Sequence, residues 1–227
     1  DIKLLSIASS KGLSLSIFVL TIIWTSVFLY NIVDSVGGIK VVGEKMSGFV
    51  DDPVAQALIV GWSFSGLIQG IAGFGVPVAV VTPLLVLLKF SPAKSAAIVL
   101  IGHSWAVALG SMGSSFYTIK LVTAIDGDVL GPHMALLLVL PIILTGLAVA
   151  CLVEGISGIW RSLHLVLIAG ATMSVTVWIM TAIGAPQIAS LVPGLIGCLT
   201  IWVVVKSRIF NVGRKDFISE SDEDTNL

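Results

Sequence analysis

Charge is what this sequence has least of. Asp, Glu, Lys and Arg make up 11% of its 227 residues, against 56% hydrophobic, and the mean hydropathy is +1.08. Soluble chains carry roughly a quarter charged residues, because a water-facing surface needs them. The shortage excludes an ordinary soluble domain and selects a chain whose surface is solvated by lipid. The net charge of −1 excludes an electrostatic hold on nucleic acid. Cysteine is scarce too: Cys151 and Cys198 both sit inside apolar runs and read as small core or lipid-facing residues. Enzyme signatures are missing. Gly73-Phe74-Gly75 lacks the Lys-Ser/Thr of a phosphate loop, and no His-Glu-x-x-His occurs. Ser91 and Lys94 have the spacing of a Ser/Lys acylase, but Pro92 follows Ser91, so helix capping explains the serine. No cofactor or metal is implied. The first apolar run is too long for the core of a cleavable leader, and the chain opens on Asp1 rather than Met, which reads as a fragment or a processed product.

What the chain does have is a series of long apolar runs. Gly12 to Val33 is uncharged and long enough, at about 1.5 Å per residue, to cross a hydrocarbon core of roughly 30 Å. Val36, Ile39, Val42, Met46 and Phe49 then recur at helical spacing among lysines and a glutamate, as in a helix lying in the interface. Asp52-Pro53 is a helix start. It opens a short apolar run to Gly70, and a second short run covers residues 76–90. Between them Gly70, Gly73, Gly75 and Pro77 break the helix, so 54–90 is expected as a re-entrant hairpin or a broken helix, with two full tilted spans as the alternative. Further spans are expected at about 93–113, 134–153, 163–183 and 188–205, with a polar loop over 114–133. Residues 1–206 thus form an all-α membrane part, and 207–227 an acidic tail or linker. Lys206, Arg208, Arg214 and Lys215 put the C-terminal end in the cytoplasm; Arg161, Lys89 and Lys94 fall on the same side by counting, and Lys3 and Lys11 on the other, a mild violation.

Chemistry is expected at the glycine-rich break. Non-helical backbone at membrane depth persists only when packed in protein or lining a watery site. Its freed N–H groups and the positive end of a half-helix make a natural carboxylate site. Gly61, Ser65 and Gln69 fall four apart on one face, and Gly66 and Gly70 form a close-packing pair. Gln69 either donates to a carboxylate or bonds nearby backbone. His103 is the ionisable residue set deepest in an apolar run, and it is either a proton partner or a neutral residue satisfied by a carbonyl. Ser104 and Ser111 are weaker candidates, and His133 and His164 read as interfacial.

The run Gln69-Gly70-Ile71-Ala72-Gly73-Phe74-Gly75-Val76-Pro77-Val78-Ala79 resembles the hallmark Glu-Gly-Ala-Ala-Gly-Phe-Gly-Ala-Pro-Val-Ala of the L-lactate permease family. Phe90-Ser91-Pro92-Ala93-Lys94, Ala106 to Gly113, and Leu29-Tyr30-Asn31-Ile32 are similar to that family in order and spacing. The resemblance covers nearly the whole chain and implies a multi-span carrier taking up lactate or glycolate with a proton across the cytoplasmic membrane. Members are about twice as long, so it also implies a missing C-terminal half or second subunit. Two positions depart: Gln69 replaces the family's acid, and Gly102-His103-Ser104-Trp105-Ala106 stands where the family has Ala-Asn-Thr-Ala-Pro. The expected substrate wall is Gln69, Gly70, Gly73, Phe74, Gly75 and Pro77, faced by Ser104 and by His103 as proton partner. Alternatives are a sodium-coupled carrier of another organic anion and a half that is inactive alone.

Overall fold

The structure is a computed structural model that describes residues 2–38, 41, 50, 52–73 and 75–207. Most of the expected interfacial helix, the acidic tail from residue 208, and Phe74 lie outside the described residues. Within them the chain is all-helical, with no strand. The helices are α1 (Ile2–Ser35), α2 (Pro53–Ile71), α3 (Val76–Leu87), α4 (Pro92–Gly102), α5 (Gly110–Thr123), α6 (Gly127–Glu154), α7 (Ile156–Ala182) and α8 (Leu191–Lys206). By length and composition α2, α6 and α7 can each cross a membrane, and so can α4 with the following 104–123 segment, which is bent by 44°.

Arg161 and Lys94 lie at one end of the bundle, whereas Lys120 lies at the other, beside Gly127. Asp52 caps α2, accepting from the Ala55 N–H at 3.0 Å, and its carboxylate is held by both terminal nitrogens of Arg161, at 2.7 and 3.2 Å. Arg161 also donates to Glu154 at 2.8 Å, and Lys94 donates to the Val153 carbonyl at 3.1 Å. The starts of α2 and α4 therefore lie beside the α6–α7 turn. α3 leaves the far end of α2 and comes back, since Leu85 and Ile98 both pack on Gly61. Its 12 residues cover only about 18 Å, too short for a span of roughly 30 Å. So α2 and α3 form a hairpin. The chain therefore turns back within 54–90, and 92–123 is a helix pair bent at residue 103.

α2 is the centre of the bundle. From Ala57 to Phe64 it is π-helical and wholly buried. Lipid tails are as apolar as leucine, so packing rather than transfer from water holds such helices together. The contacts are correspondingly close. A Cβ on Gly102 would come within 1.9 Å of the Gly61 carbonyl, one on Gly66 within 2.2 Å of the Trp105 ring, and one on Gly146 within 2.9 Å of the Trp62 ring. Trp62 Nε1 donates to Thr145 Oγ1 at 3.1 Å, and Trp105 Nε1 to the Trp62 carbonyl at 3.4 Å. By contrast α6 exposes Leu136, Leu137, Leu140 and Leu144, and α7 exposes Trp160, Leu167, Val175 and Trp178. Those faces suit lipid or further helices, not water.

Two stretches differ from expectation. The polar loop shrinks to Ala124–Asp126, because α5 and α6 absorb its flanks. α5 carries Phe116, Tyr117, Ile119 and Leu121, and Phe116 packs near Gly131 of α6. The break after α2 is also narrower than 70–77: Gly70 and Ile71 complete α2, while Val76 and Pro77 open α3.

Candidate site where three chain interruptions meet

α2 ends because Ala72 is extended (φ −141°, ψ 112°), and α3 begins after Gly75, which is left-handed at φ +89°. Gly75 is exposed with open space around it, so its glycine answers a conformational need. Gly73 answers a steric one. A Cβ there would stand 2.2 Å from Ser111 Oγ and 2.9 Å from Gln69 Nε2. Its N–H donates to Ser111 Oγ at 2.9 Å, so the first interruption is bonded directly to the second.

The second interruption runs from His103 to Gly113. Ser104–Leu109 is 3₁₀-helical, and Ser111, Met112 and Gly113 are left-handed in succession, with φ 47°, 54° and 78°. Left-handed backbone costs about 1 kcal/mol or more at each non-glycine residue and persists only where the surroundings enforce it. Here Gly73 and Gln69 do so, since a Cβ on Gly110 would lie 2.9 Å from the Gln69 carbonyl and 3.0 Å from Gln69 Nε2.

The third interruption, Gly184 to Ser190, descends into the bundle. It includes Gly184 at φ +75° and the 3₁₀ turn Pro186–Ile188. Ser190 Oγ donates to the Ala106 carbonyl at 3.0 Å, and a Cβ on Gly113 would lie 3.3 Å from the Pro186 carbonyl. α8 then starts against α2, with Leu191 N 2.6 Å from a Gly70 Cβ position, and runs antiparallel to it through Gly194 on Leu67 and Cys198 on Ile59.

Three helix N-termini thus open at one place: α3 at Val76, the right-handed part of α5 at Ser114, and α8 at Leu191. Each carries partial positive charge, so together they favour an anion. Gln69 sits among them. It is 5% exposed, and its Oε1 is buried without a hydrogen-bond partner. Along α2 the site is about 27 Å from Asp52.

The expected residues divide. Gln69, Gly70 and Gly73 line the junction, Pro77 is buried in the first turn of α3, and Gly75 shapes the turn. The groups that meet them are Gly110 and Ser111. Ser104 is exposed, with its hydroxyl donating to the Ile101 carbonyl at 2.7 Å. His103 is buried, with Nδ1 2.5 Å from the Val99 carbonyl, next to Gly102 at the level of Gly61. Among the described residues no cluster of His, Cys, Asp and Glu could hold a metal ion.

A family profile described as L-lactate permease matches residues 1–226. The chain belongs to the L-lactate permease family. This permease-family chain is 29% identical over 185 residues to a glycolate permease of Escherichia coli strain K12, covering 82% of the chain and 33% of that protein. To the L-lactate permease of the same strain it is 29% identical over 196 residues, covering 85% and 36%. To that of Bacillus subtilis strain 168 it is 30% identical over 191 residues, covering 82% and 33%. The chain thus spans about a third of the length of the curated relatives it matches. No solved structure matches.

Within the permease-family chain, the Gly184–Ser190 interruption was not expected at the site. Gly184 and Pro186 signal a break, but a break between two spans reads as an ordinary turn.

Proposed function

We propose that this chain forms one wall of a carrier that moves a small monocarboxylate of the lactate or glycolate kind, together with a proton, across the cytoplasmic membrane. The observation that carries the reading is the convergence of three helix N-termini on Gln69, Gly73 and Ser111. Positive helix ends beside irregular backbone inside a bundle suit a carboxylate. The printed names of the relatives, L-lactate and glycolate permease, agree with that charge and size. The remaining walls come from sequence beyond this chain or from a second subunit.

His103 is the proposed proton partner. With Nδ1 donating to Val99, Nε2 is left to take up a proton. It sits at the start of the 3₁₀ segment whose Ala106 carbonyl is bonded by Ser190, so a charge change there reaches the substrate junction through the backbone. The test is uptake of labelled lactate into native-membrane vesicles under an imposed pH gradient, then under an imposed sodium gradient. Uptake driven by pH alone supports the reading. Uptake driven by sodium alone replaces the proton with sodium, and no uptake under either gradient removes the carrier function.

A further inference from the structure

A groove of about 700 Å³ lies between α1 and the end of α5. Leu15 and Phe18 of α1 and Leu121 and Val122 of α5 give it apolar walls, and Lys11 and Ser14 bring its polar groups. Lys11 is exposed and directly precedes the uncharged run Gly12–Val33, which puts it at headgroup level. Leu15 and Phe18 lie about 6 and 10 Å deeper along the helix. The position of this lysine calls for a reason. The cation count places it on the side opposite Arg161 and Lys94, so it does not serve to orient the chain. Among the described residues it forms no ion pair, neither with Asp126 nor with Asp128 of the turn after α5. Ser14 is similar. The neighbouring hydroxyls of Ser10 and Ser16 donate back to the Ile7 and Gly12 carbonyls at 3.0 and 2.9 Å, whereas Ser14 makes no hydrogen bond among the described residues. An ammonium and a hydroxyl at headgroup level, continuous with an apolar groove, match a phosphodiester that carries an acyl chain.

We propose that the α1–α5 groove binds an anionic phospholipid, with its phosphate on Lys11 and Ser14 and one acyl chain along Leu15, Phe18, Leu121 and Val122. The site is separate from the junction of the three interruptions and independent of what the chain carries. It is joined to that junction through side chains. Phe18 meets Tyr117 of α5 edge to face, with ring centres 6.4 Å apart at 78°, and the Tyr117 hydroxyl is bonded by Gln187 of the third interruption. A seated lipid therefore holds α1 against α5 beside the segment that descends to Ser190.

The experiment titrates the purified protein, in a nonionic detergent, with phosphatidylglycerol or with phosphatidylcholine of the same acyl chains. The rise in unfolding temperature gives an apparent Kd for each lipid. Phosphatidylglycerol is expected to bind about fivefold more tightly, the worth of one lysine beside an anionic headgroup. Lys11→Gln is expected to bring the two lipids within about twofold of each other. Lys89→Gln, exposed in the turn between α3 and α4 at the opposite end of the bundle, is expected to keep the wild-type ratio. Val122→Trp fills the groove and leaves Lys11 in place. Val122 is 68% exposed, so the fold tolerates the change, and both lipids are expected to bind several-fold more weakly. Equal affinity for the two lipids in the wild type overturns the proposal. So does a Lys11→Gln variant that keeps the wild-type ratio, since Lys11 then only reaches for water. Unchanged affinities in Val122→Trp place the lipid elsewhere and overturn it, and no shift with either lipid does the same. None of these outcomes bears on the carrier reading.

Discussion

The backbone N–H of Gly73 donates to the hydroxyl of Ser111 across 2.9 Å, joining two chain interruptions that lie 38 residues apart. Neither residue is charged. Gly73 sits where α2 has stopped and α3 has not begun, and Ser111 is held left-handed at φ 47°. The bond settles a backbone donor that lipid could not satisfy.

Gly73 and Gly75 are therefore expected to fail differently. Gly73→Ala puts a methyl 2.2 Å from Ser111 Oγ and should cut substrate uptake by about tenfold or more while leaving membrane insertion intact. Gly75→Ala has room for its methyl but must hold φ +89°, costing about 1 kcal/mol. Gly75→Asn should be milder, since asparagine tolerates left-handed backbone. Uptake assays on the three variants, normalised to protein in the membrane, check the order.

The Arg161–Asp52 pair is expected to anchor the hairpin. The Asp52 side chain is fully buried and that of Arg161 is 23% exposed. Arg161→Met would leave a buried carboxylate unpaired, and should lower stability by about 3 kcal/mol. Asp52→Asn keeps the α2 cap, loses the ion pair and should cost less. The double variant should recover part of the loss. Thermal unfolding in detergent, arranged as a double-mutant cycle, measures it.

Much of this was legible in the sequence, for identifiable reasons. Three glycines and a proline over residues 70–77 could only be a break, and α7 is a plain apolar run. The apolar spacing of Phe116, Tyr117, Ile119 and Leu121 is masked by Lys120 and by the acidic turn after it, so the sequence reads 114–123 of α5 as loop. The π-helix from Ala57 to Phe64 has no local signature in the sequence; Ile98 of α4 and Cys198 of α8 pack against it at Gly61 and Ile59. Left-handed Ser111 and Met112 run against the preference of both side chains; Gly73 bonds Ser111, and Pro186 packs on Gly113 beside them. His103 and Ser104 were chosen for polarity at depth. The residues that face the break are Gly110 and Ser111, about two turns further on.

His103→Gln is expected to flatten the pH dependence of uptake while leaving substrate exchange largely intact. Exchange needs the anion site but no net proton movement. With Nδ1 bound to Val99, the glutamine amide can still donate to that carbonyl, so packing should survive. Counterflow compared with pH-driven uptake over pH 5 to 8 separates the two. An unchanged pH profile makes His103 structural.

Gly102→Ala is expected to damage the bundle rather than the site. Its methyl would fall 1.9 Å from the Gly61 carbonyl, backbone against backbone, with no flexible side chain to yield. Overpacking of this kind costs about 1–3 kcal/mol or more. A lowered unfolding temperature, with unchanged KM in whatever protein survives, is the expected result.

The measurement that bears most directly on the carrier site uses cysteine protection. Cys151 and Cys198 are replaced by Ala, and a single cysteine is introduced as Ser111→Cys or, separately, as Ser104→Cys. Alkylation by a membrane-permeant maleimide is timed with and without lactate. Lactate is expected to slow alkylation at position 111 several-fold and to leave position 104, exposed and away from the junction, unaffected. Protection at 104 with none at 111 would contradict the placement of the substrate where the three interruptions meet.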